Sequence, residues 1–268
     1  MHRGQTDRIE AAGRFLFEAH RAKNSLAALP PEIAPRSIAE AYEVQDFFVA
    51  LRADERGPVT GYKIALTTPQ MQRMVGLSEP ISGAILDSTV KRAPAAVRAA
   101  DFGRLLVEFE IALELGEDLP AADAPFTRKR VSQAVESVMP AFEIADDRNA
   151  DYKDLSKHAL LLVADNAWNE GAVLGEPVLD WRAIDLANLR GAATINEVGV
   201  GEGRGRDSMG HPFEALAWLA NHLAEQSRGL LIGNVVLTGS LVTSKFVKAG
   251  DRIGFDTGPL GSIRLDIT

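Results

Sequence analysis

The chain has 268 residues, of which 46% are hydrophobic and 25% charged, so it can build a sizeable core and has the balance of a soluble globular protein. Its net charge of -8 disfavours nucleic acid as a partner, because binding to phosphate requires a basic surface. With 0 Cys, the sequence excludes disulfides, thiolate metal sites and cysteine nucleophiles.

The opening residues, MHRGQTDRIEAAG, lack the apolar segment of a signal peptide. No uncharged apolar run approaches the roughly 20 residues that span a bilayer. We therefore expect a cytoplasmic protein with no membrane as a partner.

Two helices are predicted in the first part of the chain, residues 1–57. The first covers about 6–29, where apolar residues recur at helical spacing and a pair of prolines follows. The second begins at Ser37, which can form a capping box with Glu40, and runs to about Arg56, before a Gly-Pro pair.

Beyond residue 57 the pattern changes to short apolar runs between turn signals, which predicts strands. The predicted strands are residues 59–66, 83–86, 104–115, 140–145, 159–164, 171–174, 192–198, 235–238, 251–256 and 261–267. Further helices are predicted at about 68–75, 128–138 and 212–226. Because strands and helices do not alternate regularly, a doubly wound sheet or a TIM barrel is disfavoured. We expect an α+β protein whose helical N-terminal region, 1–57, precedes a mixed, largely antiparallel β domain, 58–268.

The predicted strand VEFEIALEL, residues 107–115, places carboxylates side by side. Its apolar residues share one parity and Glu108 and Glu110 share the other, so these two acids lie on one face, about 7 Å apart. A divalent cation between them would lower their repulsion, and hard cations such as Mg²⁺ and Mn²⁺ prefer oxygen ligands. Glu143, a lone acid in a later apolar strand, is the candidate third ligand. The alternatives are a solvated strand face for the first two acids and an ion pair with Arg148 for Glu143.

Three other stretches carry candidate functional groups. Lys63 interrupts an apolar run and is a candidate for holding an anionic substrate or moving a proton, with simple exposure as the alternative. Thr238 and Ser240 follow a predicted strand, where hydroxyl and N–H groups can hold a carboxylate or form an ordinary turn. The glycine-rich stretch 199–212 lacks the spacing of a dinucleotide-binding loop and is predicted to be a mobile loop that could cover an active site.

Five segments, in chain order, resemble the 2-keto-4-pentenoate hydratase / 4-oxalocrotonate decarboxylase family of the fumarylacetoacetate hydrolase superfamily. They are GYKIALTTPQMQRMVGLSEPISGAI, VEFEIALELGEDL, MPAFEIADDR, ADNAWNEGAVLG, and GHPFEALAWLANHLA with VVLTGSLVTSKFVKAGDRI. The resemblance covers roughly residues 37–268. It implies a β-roll or sandwich after a helical N-terminal part, a divalent metal, usually Mg²⁺ or Mn²⁺, a small 2-oxo acid as substrate, and a homo-oligomer.

The resemblance also assigns roles to individual residues. Three acids match the metal ligands of the family: Glu108, Glu110 and Glu143. Lys63 matches its active-site lysine, and Thr238 falls in the segment that contacts the substrate carboxylate. Ser240 and Arg148 are further candidates for binding substrate.

The activity implied is that of a metal-dependent lyase in the catabolism of aromatic compounds. Hydration of a 2-hydroxy-2,4-dienoate to a 4-hydroxy-2-oxo acid is the first hypothesis. A 4-oxalocrotonate-type decarboxylase, an acylpyruvate hydrolase and a non-catalytic protein that binds 2-oxo acids are the alternatives. Ile81 and Trp168 depart from the family pattern, which indicates an altered substrate pocket.

Overall fold

A computed structural model describes residues 3–268 and shows a helical N-terminal part followed by two mixed sheets. The helices are α1 (Arg3–Arg21), α2 (Ile38–Arg56), α3 (Pro69–Val75), α4 (Arg128–Ala134), α5 (Ala159–Ala164) and α6 (Pro212–Glu225). The strands are β1 (Val59–Ala65), β2 (Ile81–Leu86), β3 (Val90–Arg92), β4 (Ala95–Val97), β5 (Leu105–Leu115), β6 (Val135–Asp146), β7 (Asn169–Leu174), β8 (Arg190–Ile195), β9 (Val198–Arg204), β10 (Val235–Leu237), β11 (Val242–Phe246), β12 (Arg252–Asp256) and β13 (Ser262–Ile267). The predicted α+β class is confirmed.

Helix α2 begins at its predicted cap, whereas α1 ends earlier than its pattern indicated. The Ser37 side chain accepts a hydrogen bond from the N–H of Glu40, as in a capping box. Helix α1 stops at Arg21, and Lys23 takes a left-handed conformation with φ 52°. The apolar residues that follow continue as a loop, in which the N–H of Leu26 donates to a distant backbone carbonyl.

The larger sheet has eight strands in the order β2-β1-β10-β5-β6-β7-β3, and β11 pairs with β5 beside β10. The second sheet has the order β4-β13-β12-β8-β9. Both are mixed, since β1 runs parallel to β10, β3 to β7 and β4 to β13, while the other pairs are antiparallel. This arrangement matches the mixed, largely antiparallel assembly that the sequence predicted.

The odd-numbered side chains of β5 join the two sheets. Phe109 lies edge-to-face against Phe142 of β6, with ring centroids 5.7 Å apart, and against Phe255 of β12, at 5.5 Å. All three rings are buried in one hydrophobic cluster with the other odd-numbered residues of β5. The even-numbered side chains therefore face the opposite side of the larger sheet.

On that opposite side the larger sheet curls until β2 lies against β7. Asn166 closes the seam: its Oδ1 accepts from the N–H of Ala84 at 2.7 Å, and its Nδ2 donates to the carbonyl of Ala84 at 2.8 Å. Gly83 leaves room for this contact, because a Cβ there would lie 2.6 Å from the carbonyl oxygen of Asn166. The larger sheet is thus a β-roll whose interior receives the even-numbered side chains of β5.

Three further predictions of secondary structure differ from the structure. Residues 159–164 form helix α5 and not a strand, because a short run that is buried all round has no periodicity to separate the two. The end of the helix predicted over 128–138 belongs to β6, which begins at Val135. The glycine-rich stretch 199–212 was predicted as a mobile loop, but its first part, residues 199–204, lies in strand β9, which pairs with β8. Its glycines allow close packing, since a Cβ on Gly203 would overlap the backbone of Leu241.

The predicted division into residues 1–57 and 58–268, of which 1 and 2 lie outside the described part, stays a prediction. Helices α1 and α2 share a hydrophobic cluster with Leu66, Leu155 and Trp168 of the β region. Among residues 3–268, no helix has both the length and the apolar composition needed to cross a bilayer.

We expect Asn166→Ala to open the seam of the roll. The change leaves the buried N–H and carbonyl of Ala84 without partners and gives a left-handed backbone, φ 54°, to a residue that tolerates it less well. The free energy of unfolding, measured by urea denaturation, should fall by about 3 kcal/mol.

Asn149→Ala is the matched control, because Asn149 is also left-handed, with φ 62°, but exposed. It should cost only about 1 kcal/mol, mainly the backbone effect, because its side chain donates just one long hydrogen bond, 3.5 Å, to the carbonyl of Gly103. Equal losses in the two variants would show that the side chain of Asn166 does not hold the seam.

Candidate metal centre

Strands β5 and β6 bring three carboxylates together inside the roll. Glu108 and Glu143 are direct partners in the antiparallel ladder, and Glu110 follows two residues further along β5. One oxygen from each of the three lies within 4.8 Å of the other two. Glu110 and Glu143 are fully buried, and Glu108 is partly exposed. A solvated strand face is therefore the wrong interpretation of Glu110.

Burial and neighbouring negative charge raise the pKa values of Glu108 and Glu110. Burial, followed by the negative charge of Glu143, raises the pKa of Glu108 to about 7. The same two causes, with the charge of Glu108 added, raise the pKa of Glu110 well above its ordinary value. A cluster of this kind requires positive charge close by if it is to stay ionised.

Lys63 supplies one such charge from β1. Its Nζ lies 3.1 Å from Oε1 of Glu143, and the side chain is only 3% exposed. Burial by itself lowers the pKa of Lys63, but the charges of the three acids outweigh this effect and raise it. Exposure of Lys63 and an ion pair between Glu143 and Arg148 are therefore both wrong interpretations.

Two buried carboxylate oxygens in this cluster have no hydrogen-bond partner within the described residues: Oε1 of Glu110 and Oε2 of Glu143. The other oxygen of each carboxylate has a partner. Oε2 of Glu110 accepts from the N–H of Gly239 at 2.7 Å. Oε1 of Glu143 accepts from Lys63 and from Nδ2 of Asn169. An unpaired buried carboxylate oxygen is costly unless a cation lies against it. The free oxygens and the all-carboxylate donor set therefore fit a divalent cation that prefers oxygen ligands.

Gly239 can present its N–H to Glu110 only because it lacks a side chain. Its φ is +105°, and a Cβ would lie 2.5 Å from Cγ2 of Thr67 and 2.6 Å from Oγ of Ser208. The turn after β10 is thereby drawn close enough to hold one oxygen of Glu110 in place.

Thr238 and Ser240 flank this glycine, and their hydroxyl groups bind the backbone. Thr238 Oγ1 donates to the carbonyl of Ile111 at 2.9 Å. Ser240 Oγ donates to the carbonyl of Val242 at 2.6 Å and accepts from the N–H of Phe109 at 2.9 Å. These bonds fasten the turn to β5, and a role for either hydroxyl in binding substrate stays a prediction.

The first residue of β7 is Asn169, to which the sequence patterns assigned no role. Its Nδ2 donates to Glu143 at 3.1 Å. In the turn before β7, Asn166, Ala167 and Trp168 all have left-handed φ angles, of 54°, 47° and 64°. Each such non-glycine residue costs about 1–2 kcal/mol, so the surrounding structure must impose this conformation. The segment ADNAWNEG was singled out only by its resemblance, which is the one signal that could have pointed to Asn169.

Buried ion pairs on both sides of this turn supply the restraint. His20 of α1 reaches Asp165 with Nε2, at 2.6 Å, and Glu170 with Nδ1, at 3.2 Å. Arg148 donates to Asp165 at 2.6 Å, and Arg52 of α2 donates to Glu170 at 2.5 Å. Arg148 is therefore engaged outside the carboxylate cluster, and its predicted contact with substrate stays a prediction.

Comparison with known proteins places this site in a family. Residues 69–268 match the family model described as fumarylacetoacetate (FAA) hydrolase, C-terminal. The chain is 34% identical to the 2-hydroxyhexa-2,4-dienoate hydratase of Comamonas testosteroni over 97% of both proteins. It is 32% identical to the 2-oxo-hept-4-ene-1,7-dioate hydratase of Escherichia coli, over 92% of this chain and 93% of that protein.

A solved structure gives the same result for the fold. The 4-oxalocrotonate decarboxylase from Pseudomonas putida G7, complexed with calcium and acetate or with magnesium and adipate, superposes with a TM-score of 0.88. The two proteins are 25% identical, and the match covers 98% of each chain. The fold and the family that the five sequence segments predicted are thereby confirmed.

His20→Gln tests whether α1 restrains the turn through charge. Burial alone lowers the pKa of His20, but Asp165 and Glu170 outweigh it and raise the pKa above the ordinary 6.5. The stabilisation of the folded state by protonated His20 is therefore complete below pH 6.5. It is lost as the pH rises through the raised pKa of His20. In urea denaturation, the wild type should have a larger free energy of unfolding than His20→Gln. This difference should be largest near pH ~6 and shrink toward pH ~9.

Arg14→Gln removes an exposed cation from the same helix and serves as the control. Its difference from the wild type should stay constant across this pH range, because arginine does not titrate there. A constant difference for His20→Gln as well would show that the histidine does not act through its charge.

Proposed function

Because the chain belongs to the fumarylacetoacetate hydrolase family, we propose that it is a metal-dependent hydratase of small 2-hydroxy-2,4-dienoates, with a 4-hydroxy-2-oxo acid as product. As its relatives are hydratases and decarboxylases, the chain is an enzyme of the hydro-lyase or decarboxylase type. The observation that carries the proposal is the buried trio of Glu108, Glu110 and Glu143, with two unpaired oxygens and Lys63 beside it.

The trio would hold Mg²⁺ or Mn²⁺. Such an ion supplies a Lewis acid, which stabilises negative charge on the carboxylate and the 2-oxygen of a bound acid. The similar decarboxylase from Pseudomonas putida G7 has been crystallised with calcium and with magnesium, which supports a divalent cation in this fold.

Hydration of a dienol requires two proton movements and one water. The 2-hydroxyl group loses its proton and C5 gains one, which leaves a 2-oxo-3-enoate. Water then adds its oxygen to C4 and a proton to C3. The protein must therefore hold an anion, move protons and admit one water molecule in a controlled way.

Lys63 meets the first two of these requirements. Its Nζ is held 3.1 Å from Glu143 inside the roll, where a positive charge attracts an anionic acid. The same Nζ can donate a proton to a bound molecule. Deeper in the roll, buried apolar side chains such as Ala112, Met139 and Leu237 exclude bulk water from that side.

Decarboxylation of a 4-oxalocrotonate-type acid is the second candidate. The superposition with 4-oxalocrotonate decarboxylase over nearly the whole chain favours it. Both reactions place negative charge on the same end of the substrate, so the same carboxylates and lysine serve either one. The two differ at the far end, where one needs water and the other releases carbon dioxide.

We further propose that the protein acts in the cytoplasm as a homo-oligomer in the catabolism of aromatic compounds. The bacterial hydratases that it resembles support this setting. Light scattering of the purified protein measures the oligomeric mass directly.

Glu110→Gln should abolish binding of Mn²⁺ in isothermal calorimetry. The change removes one of three negative ligands and keeps the shape of the side chain. In EDTA the variant should melt at a higher temperature than the wild type, because the repulsion inside the cluster falls. Glu114→Gln, on the same strand and parity but bound to Ser137, is the control and should retain Mn²⁺ binding. Wild-type affinity in Glu110→Gln would remove the metal assignment.

Turnover is tested by ultraviolet absorbance of freshly generated 2-hydroxypenta-2,4-dienoate. We expect loss of the dienol band with Mg²⁺, none beyond background with EDTA, and a 4-hydroxy-2-oxo acid as product. Glu108→Gln and Glu143→Gln should remove this activity, and Lys63→Met should lower it by about 10²–10⁴-fold. Release of carbon dioxide from 4-oxalocrotonate, without hydration, would identify the decarboxylase instead. No metal-dependent turnover of either acid would overturn both.

A further inference from the structure

The two sides of the carboxylate cluster along the roll differ in exposure. Behind it, toward Ala112 and Met139, the interior of the roll is filled by buried apolar residues. Glu108 is the partly exposed member of the trio and marks the open side. The next inward-facing residue of β5 in that direction is Leu106, about 7 Å from Glu108 along the strand.

Leu106 belongs to a row of side chains on this side of the cluster. It is paired directly with Phe246 of β11 and with Ala145 of β6. Directly paired residues project from the same face of a sheet, so all three face the side on which the carboxylates lie. The row therefore borders the open side of the site.

Two further aromatic rings extend this border. Tyr152 lies edge-to-face with Phe246, with centroids 6.3 Å apart, and with Trp168, at 6.2 Å. Trp168 packs in the same hydrophobic cluster as Leu106 and Ala145. We call Leu106, Tyr152, Trp168 and Phe246 the aromatic rim.

Two rings of the aromatic rim are partly exposed, and one of its N–H groups has no hydrogen-bond partner within the described residues. Phe246 is 53% exposed and Tyr152 38%, although large apolar rings are usually covered. Trp168 is 9% exposed, and its Nε1 has no hydrogen-bond partner in the described chain. A buried N–H without a partner costs about 1–3 kcal/mol, so an occupant that covers the rings and offers an oxygen would be stabilised here.

The positive charge of Arg104, beside the rim, is already paired. Arg104 lies over the ring of Phe246, 4.7 Å from its centroid, and over that of Tyr152, at 5.7 Å. Its guanidinium group donates to both oxygens of Asp147 and, at 2.8 Å, to the carbonyl of Ala150. A second carboxylate on the substrate would therefore find no free cation in Arg104.

We propose that the aromatic rim binds the far end of the substrate and selects an uncharged alkyl chain over a second carboxylate. The inference rests on the proposed function and deepens it, because it names the substrate class as 2-hydroxy-2,4-dienoates that carry a short alkyl group beyond C5. With the carboxylate and the 2-oxygen of such an acid at the acidic cluster, the far end of an extended chain reaches the rim about 7 Å away.

Binding of unreactive, saturated 2-oxo acids separates this inference from turnover. The probes are pyruvate, 2-oxohexanoate and 2-oxoheptanedioate, titrated by calorimetry into the protein with Mg²⁺. We expect 2-oxohexanoate to bind at least ~10-fold more tightly than pyruvate, because apolar contacts of this size discriminate to that extent. We expect the dioate to bind more weakly than 2-oxohexanoate.

Phe246→Ala should remove most of the preference for 2-oxohexanoate and leave the affinity for pyruvate unchanged. The side chain is half-exposed, so the variant should fold. Phe15→Ala is the matched control, since it removes an exposed ring, 38% accessible, from α1. It should bind all three acids as the wild type does.

Three results would overturn the inference: tighter binding of the dioate, a preference that survives in Phe246→Ala, or an equal loss in Phe15→Ala. If the dienol assay fails while the preference still depends on Phe246, the proposed function is wrong and the rim assignment stands. If turnover occurs without any such preference, the rim assignment alone is wrong.

Discussion

The structure depends on keeping three like charges together in the interior of a β-roll. Glu108, Glu110 and Glu143 lie on adjacent strands of one sheet, and two of them have no contact with solvent. In an apolar interior, carboxylates held this close tend to take up protons, and a protonated carboxylate is a poor ligand for a cation. The neighbouring residues counter this tendency: Lys63 adds a positive charge, and the N–H of Gly239 binds a carboxylate oxygen.

The two faces of β5 have different roles, since one packs in the hydrophobic core and the other carries Glu108 and Glu110. One face carries Phe109 and its apolar neighbours, which attach the larger sheet to the second sheet and make the strand rigid. The other face carries the acids. Because both sets alternate along one strand, the packing of Phe109 fixes the positions of Glu108 and Glu110 on either side of it. A ligand set built in this way has little freedom to rearrange.

The helical N-terminal part supports the site from a distance. His20 and Arg52 reach from α1 and α2 to Asp165 and Glu170, which border a turn with three successive left-handed residues. That turn closes the roll through Asn166 and delivers Asn169 to Glu143. Loss of either partner of such a buried ion pair would leave the other charge unpaired in the interior, which is strongly destabilising.

Local sequence determined the features that depend on neighbouring residues. The cap at Ser37, the parity of β5, the outline of most strands and the membership of Glu108 and Glu110 in one face all follow from short spacings. Their apolar surroundings made Glu143 and Lys63 candidates, and the family resemblance assigned them roles beside Glu108 and Glu110. Only the tertiary structure decided how distant segments meet, and hence that Lys63 and not Arg148 pairs with Glu143. It also decided that residues 159–164 are helical, that β9 replaces a loop, and that Asn169 and Gly239 support the acids. These contacts join residues far apart in the chain, and neither hydrophobic period nor turn chemistry carries information across such a separation.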